Sequence, residues 1–223
     1  MKHLRIMKSL LFLLSAVALV VLSSSALIAQ DAESILSRLS EEAKEYGSIE
    51  ATYTSYMVDK VSDFEAKQNG EIFIDDNQYY LDLGDYTIVC DGATIWTYET
   101  AVNDCYVDDA EAMAEDGMDP SKLFTIWEDD FKNELKGAVE IEGRKVTHVN
   151  LYPNEGDDKP FHTIQLFIDE STMEMVRAVV KGREGTDVTY DVTSFTPRAK
   201  VPLEKFQFDA SKFPGVSIID NRL

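Results

Sequence analysis

Chemistry in this chain would have to come from few residues. It has three histidines and two cysteines. His3 lies in a leader-like segment, which leaves His148 and His162. Fourteen residues apart on strand-like segments, the two could stand on neighbouring strands and share a metal. No third ligand of matching spacing accompanies them, and a strand histidine is more commonly a partly buried hydrogen-bonding residue. No G-x-S-x-G elbow, H-E-x-x-H helix or phosphate-cradling glycine loop is present. The acid pairs Asp129-Asp130 and Asp157-Asp158 are adjacent in sequence and read as solvated charge, and no two distant carboxylates stand out as a glycosidase pair. The acidic stretch Asp108–Asp119 lacks the ligand order and central glycine of an EF-hand loop. It reads as a solvated loop. The expectation is a protein without catalytic residues, cofactor or metal.

Bulky apolar side chains are the abundant resource, on segments that look only half covered. Leu36 and Leu39 stand on an N-terminal helical stripe. Tyr53, Met57, Phe73, Tyr80, Ile88 and Trp96 stand on strand-like segments. Leu123, Phe124, Trp127, Phe131 and Leu135, spaced 1, 3, 4 and 4, read as one helix stripe begun by Pro120 and closed by Gly137. Most of these would fill any core. Some would line an apolar cavity beneath helices if a curved sheet failed to close.

The positioning elements follow from patterning. Asp31 to Tyr46 carries Ile35, Leu36, Leu39, Ala43 and Tyr46 on one helix face, with Gly47 as its C-terminal stop. Strand-like segments follow at Ile49–Val58, Gly70–Asp75, Gln78–Leu83, Tyr86–Cys90, Thr94–Tyr98 and Asp104–Val107, with Asp91-Gly92 as a hairpin turn. After the expected second helix come Val139–Glu142, Arg144–Tyr152, Phe161–Asp169, Met173–Lys181, Asp187–Phe195 and a short Lys205–Phe208. About eleven strands and two helices without βαβ alternation predict an α+β domain. Its single strongly curved antiparallel sheet would form an unclosed β-barrel with a helical lid on the concave side. Cys90 and Cys105 would sit on strands one apart, roughly 9–10 Å away at ~4.8 Å per step, too far for a disulfide, so two buried thiols are expected.

Residues 1–29 have the form of a secretory signal: Lys2, Arg5 and Lys8, an apolar run from Leu10 to Leu22, then small residues. Cleavage fits after Ala29, leaving Gln30 first, or after Ala26. The apolar run is short of the ~20 residues of a membrane span. The chain carries 21 basic and 41 acidic residues, a formal charge of -20. That charge disfavours nucleic acid and self-association, so a monomer is expected.

Several segments in order resemble the LolA family of lipoprotein carriers. "VCDGATIWTY" (Val89–Tyr98) resembles its strand, DG turn and aliphatic-Trp-x-Tyr strand. "DPSKLF" (Asp119–Phe124) resembles its lid-helix start. Ile164–Phe195 resembles its paired late strands with an Asp-x-x-Thr turn at Asp169–Thr172, and "FQFDASKFPGVSIID" (Phe206–Asp220) resembles its close. The resemblance implies one carrier domain over residues 30–223. It also implies a periplasmic location, acylated lipoproteins or lipids as cargo, an inner-membrane ABC-type lipoprotein-releasing complex as partner, and no catalysis. A regulatory module that senses lipoproteins on the same scaffold is the other binding reading. One departure stands out: where family members carry an arginine that ties sheet to lid, the nearest counterpart here is Asp76, which cannot donate those hydrogen bonds.

Overall fold

In a computed structural model the described residues are 32–112, 125–128, 131–154 and 159–222. They form one long helix, α1 (32–46), a few short helical turns and twelve strands. These are β1 (Ser48–Asp59), β2 (Phe64–Asp75), β3 (Gln78–Asp82), β4 (Tyr86–Cys90), β5 (Thr94–Glu99) and β6 (Asp104–Asp109), then β7 (Phe131–Ile141), β8 (Arg144–Pro153), β9 (Phe161–Asp169), β10 (Glu174–Gly182), β11 (Thr186–Pro197) and β12 (Ser217–Asp220). All belong to one sheet in the order β12-β6-β5-β4-β3-β2-β1-β11-β10-β9-β8-β7, which leaves β12 and β7 as its two edges. The expected open, curved antiparallel sheet is therefore present. One pairing is parallel: β12 runs beside β6, with Ile218 opposite Cys105.

Short turns explain the meander. Gly92 and Gly143 take positive φ in the β4–β5 and β7–β8 turns, where a side chain would be strained. In the β9–β10 turn the Asp169 carboxylate accepts from the Ser171 amide at 2.8 Å and from the Arg144 guanidinium.

Four local expectations fail, each for a physical reason. The helix expected through Leu135 does not reach it: among the described residues Phe131 and Leu135 lie on β7, and Ile126–Glu128 makes a 3-10 turn. A spacing of four is even, so the pair shares a strand face as readily as a helix face, and Lys132, Glu134 and Lys136 alternate outward as a strand requires. Gly137, at φ 102, does not close a helix but sits at a register shift within β7. Lys205–Phe208 is not a strand. Its first half belongs to the 3-10 turn Leu203–Phe206, which buries Phe206 completely. The Asp108–Asp119 stretch begins as the end of β6. Residues 110–112 then turn helical, with Asp109 Oδ1 accepting from the amides of Glu111 and Ala112; its remainder lies outside the described residues, as do the leader, both acid pairs, Leu123 and Phe124.

The cysteines are buried and no disulfide joins them. Cys90 pairs with Ile95 and Cys105 with Tyr98 across β5. Ile95 and Tyr98 are three apart, so the two thiols point to opposite faces of the sheet. Burial pushes the Cys105 thiol up to about 11.

Two outcomes follow. Alkylation of the native protein should spare both thiols, denaturant should expose two, and a mass two hydrogens lighter would contradict the assignment. Ser171 and Arg144 hold the Asp169 carboxyl down to about 2, below its ordinary 3.8. Its contribution to stability is thus complete above the ordinary value and lost as pH falls toward 2. Asp169→Asn should flatten the acid limb of a denaturation-midpoint profile and leave the neutral-to-alkaline limb parallel to wild type.

Candidate functional site

The inner face of the sheet is the one α1 covers. Its helical stripe buries Ala32, Ile35, Leu36 and Leu39 against Val149 and Leu151 of β8 and Ile164, Leu166 and Ile168 of β9. At its C-terminal end Tyr46 joins Ile49, Ala51, Ile72, Ile74, Tyr79, Leu81, Cys90 and Ile95, with Ile88 packed alongside. Leu36 and Leu39 are each 3% exposed, so beneath the helix the inner face is a filled core.

A strap over residues 125–128 is fastened to that helix. The buried Trp127 indole N–H donates to the Leu36 carbonyl at 3.1 Å and to Ser40 Oγ at 2.8 Å. Beside it Lys44 Nζ lies 2.5 Å from Glu128 Oε1, and that hydrogen bond lowers the Glu128 pKa. Phe131, where β7 leaves the strap, stacks on Phe161 with ring centroids 6.4 Å apart.

Towards the other end of the strands the inner face continues beyond the helix. By register it carries Tyr53, Met57, Phe64 and Gly70 from β1 and β2, Val188 and Tyr190 from β11, and Ala178 and Val180 from β10. Tyr53 donates to the Asp82 carbonyl at 3.0 Å and meets Tyr190 edge-on. Its ring lies over Gly70, where an added Cβ would come within 2.2 Å of it, so only glycine fits. Burial, with Tyr190 and Asp82 nearby, pushes the Tyr53 hydroxyl up to about 12. Met57 is 39% and Phe64 54% exposed, so this apolar floor reaches solvent uncovered by any described residue. Beside it a cavity of about 600 Å³ opens between Pro160, Phe161, Val180, Gly182, Arg183 and Thr186, bordered by Lys159 and Glu184. That volume lies within the roughly 300–1,000 Å³ of small-ligand sites.

The expected cavity residues therefore divide. Leu36, Leu39, Tyr53, Met57, Ile88, Trp127 and Phe131 gather on the inner side. Phe73, Tyr80 and Trp96 point to the outer face, because each is one residue out of step with Ile72, Tyr79 and Ile95. There Lys205 Nζ sits 4.3 Å from the Phe73 ring centre, 4.6 Å from that of Tyr80 and 3.1 Å from Glu71 Oε2. Phe208 and Phe213 pack on Tyr98. The sequence reading did not single out Phe161, Val180 or Tyr190 as candidate lining. Their only signal is alternation on strands whose inner face cannot be known before the register is.

The histidines do not converge. His148 stacks on Phe167 on the outer face and bonds Asn150, burial lowering its pKa, whereas His162 is exposed. Among the described residues no three metal-binding side chains cluster. His162 Nδ1 lies 2.8 Å from its neighbour Thr163 Oγ1, and what the described inner face offers is apolar surface.

An uncharacterized conserved protein from Thermus thermophilus shares this fold. At 12% identity and a TM-score of 0.56, the alignment covers 86% of this chain and 99% of that one. LolA-superfamily structures are also among those that match. A LolA superfamily protein from Nitrosomonas europaea aligns at 12% identity over 80% of this chain and 98% of its own, TM-score 0.40. Lipoprotein LppX from Mycobacterium tuberculosis aligns at 12% identity over 77% and 98%, TM-score 0.42. The last two are too distant to bear on function. No sequence-family model and no curated protein matches the chain.

Trp127→Phe should keep the packing and lose both indole hydrogen bonds. The expected cost is about 1–2 kcal/mol in urea unfolding, with Ser40→Ala costing less because the Leu36 carbonyl remains as acceptor. An unchanged midpoint for Trp127→Phe would mean that the strap is not held by these bonds.

Proposed function

We propose that the protein is a periplasmic carrier that shields the acyl chains of lipids or lipoproteins against the inner face of its sheet, between the inner and the outer membrane. The observation that supports this most is the apolar floor running past the end of α1 into an open cavity of about 600 Å³. An ordinary β-sandwich covers such a face with a second sheet; here Met57 and Phe64 stay exposed on it. Each methylene removed from water contributes ~0.8 kcal/mol, so an acyl chain gains from this floor and cannot cross an aqueous space unescorted.

The order of LolA-like segments supports the same reading, as does the leader-like N-terminus. Loading would come from an inner-membrane ABC-type lipoprotein-releasing complex, and the carrier would work as a monomer. Binding is reversible in this scheme and needs no catalytic group. The strap 125–128 is tied to α1 by one indole and one ion pair, a fastening weak enough to release and re-form. Lid closure through an arginine is not available at Asp76: it stands in the β2–β3 turn at φ 55, and its amide points to the Gly47 carbonyl at 3.4 Å. Apolar contact and the Trp127 bonds replace it.

Mass spectrometry of the purified protein should find co-purified lipid or acylated protein, and delipidated protein should take up a fluorescent fatty acid stoichiometrically. Val180→Trp, which fills the cavity, should lower uptake roughly tenfold or more with an unchanged circular dichroism spectrum. Neither bound lipid nor uptake by the wild type would refute the carrier reading.

A further inference from the structure

Register lines up one continuous apolar row across the exposed inner floor. Ala66 of β2 stands opposite Met57 of β1. Met57 stands opposite Val188 of β11, and Val188 opposite Val180 of β10. Val180 shares the wall of the cavity with Phe161 of β9. The row therefore crosses the strands from β9 to β2, which are neighbours in the order β2-β1-β11-β10-β9. Four strand steps of ~4.8 Å make it roughly 19 Å long. Polar groups interrupt the rows on either side. Thr186 and Asp59 stand opposite each other on one side, and Ser55, between Tyr190 and Gln68, on the other.

The two ends of the row differ. Phe161 stacks on Phe131 and belongs to the buried cluster of Trp127, Leu151 and Ile164, so the β9 end is closed by a wall of side chains. At the β2 end, β3 pairs only with Glu71–Asp75, and Ala66 lies beyond that pairing. Beside it Gln68 Nε2 donates to Asp85 Oδ2 at 3.3 Å. Met57 is 39% exposed there, and among the described residues this end is open to solvent.

We propose that the row holds one linear acyl chain of about sixteen carbons, its methyl end against Phe161 and its polar end leaving past Ala66. Carbon–carbon bonds of ~1.5 Å at tetrahedral angles advance an extended chain by about 1.25 Å per carbon, so the row matches fifteen or sixteen of them. A shorter chain leaves part of the row wet, and a longer one extends into water at the open end, where further methylenes gain nothing. The polar flanking rows favour no second chain alongside. Phe161 is thus a specificity-determining residue that sets chain length, and the cargo class is any molecule that offers one long straight chain. This inference rests on the carrier reading and deepens it.

The first test is a displacement series, in which saturated fatty acids of increasing length compete with a fluorescent fatty acid on the delipidated protein. Affinity should rise roughly tenfold for every two carbons added and level off at about sixteen. A plateau near half that length, or a rise continuing well beyond it, would overturn the proposal. Phe161→Ala, which moves the wall back by about one strand step, should shift the plateau out by about four carbons; an unchanged plateau would overturn the role of Phe161. A second measurement does not depend on the folding of that variant. Palmitic acid brominated near its methyl end should quench Trp127 in Trp96→Phe protein, because Trp127 lies in the cluster of Phe161. The same acid brominated near its carboxyl should instead quench Phe64→Trp, placed in protein whose two native tryptophans are replaced by phenylalanine. Equal quenching by both acids, or the reverse order, would overturn the proposed orientation. Uptake without a plateau or an order of quenching would strike this inference and leave the carrier reading standing. No uptake of any fatty acid would strike the carrier reading itself, and this inference with it.

Discussion

A sheet that does not close on itself has two faces to keep from water, and this constraint organises the whole chain. Among the described residues the inner face is covered by one amphipathic helix, shorter than the strands it crosses, and by the strap fastened to it. Burial is therefore complete under α1, where Leu36, Val149 and Ile168 are at most 3% exposed, and incomplete near Met57 and Phe64. The outer face of the β3–β6 wing is covered differently, by the C-terminal segment. Phe206 is fully buried there, Lys205 lies over two aromatic rings, and β12 adds itself in parallel to the β6 edge. The part of the inner floor that no described residue covers is what the helix leaves over.

Polar groups secure the pieces that cross this architecture. Trp127 fixes a strap to α1 by giving one N–H to two acceptors, and Tyr53 fixes β1 to β3 over a glycine that makes room for its ring. Among the described residues no buried side-chain nitrogen or oxygen lacks a hydrogen-bond partner. Burial next to water is thus achieved without stranded polar atoms, as a stable interior requires. Each of these fastenings joins segments far apart in sequence, so none could be proposed before the fold was known.

Much of the fold was legible because strand signals are local. Asp91-Gly92, Gly143 and the alternation of Phe161–Asp169 each specify their own turn or strand. The helix 32–46 was legible for the same reason, its five apolar residues sharing one face. What was not legible depended on pairing. Phe131 and Leu135 satisfy helix and strand periods alike until β8 lies beside them. Phe64–Asn69 is too polar to announce a strand, yet it pairs with β1 along its whole length. Phe73, Tyr80 and Trp96 were grouped with the inner residues because type and size say nothing about which side of a sheet a residue takes. A shift of one position in register decides it.

The seam between β1 and β11 has a further meaning for how the molecule comes to exist. Ile49 stands opposite Pro197, so the first strand of the sheet shares its hydrogen bonds with one of the last to be synthesised. Until β11 arrives, β1 presents an open ladder of amides and carbonyls, and the two wings on either side of it are separate meanders. Assembly must therefore finish by long-range closure at the middle of the sheet, a slow topology that exposes a sticky edge in the interim. A nascent chain of this design is a natural client for holding factors.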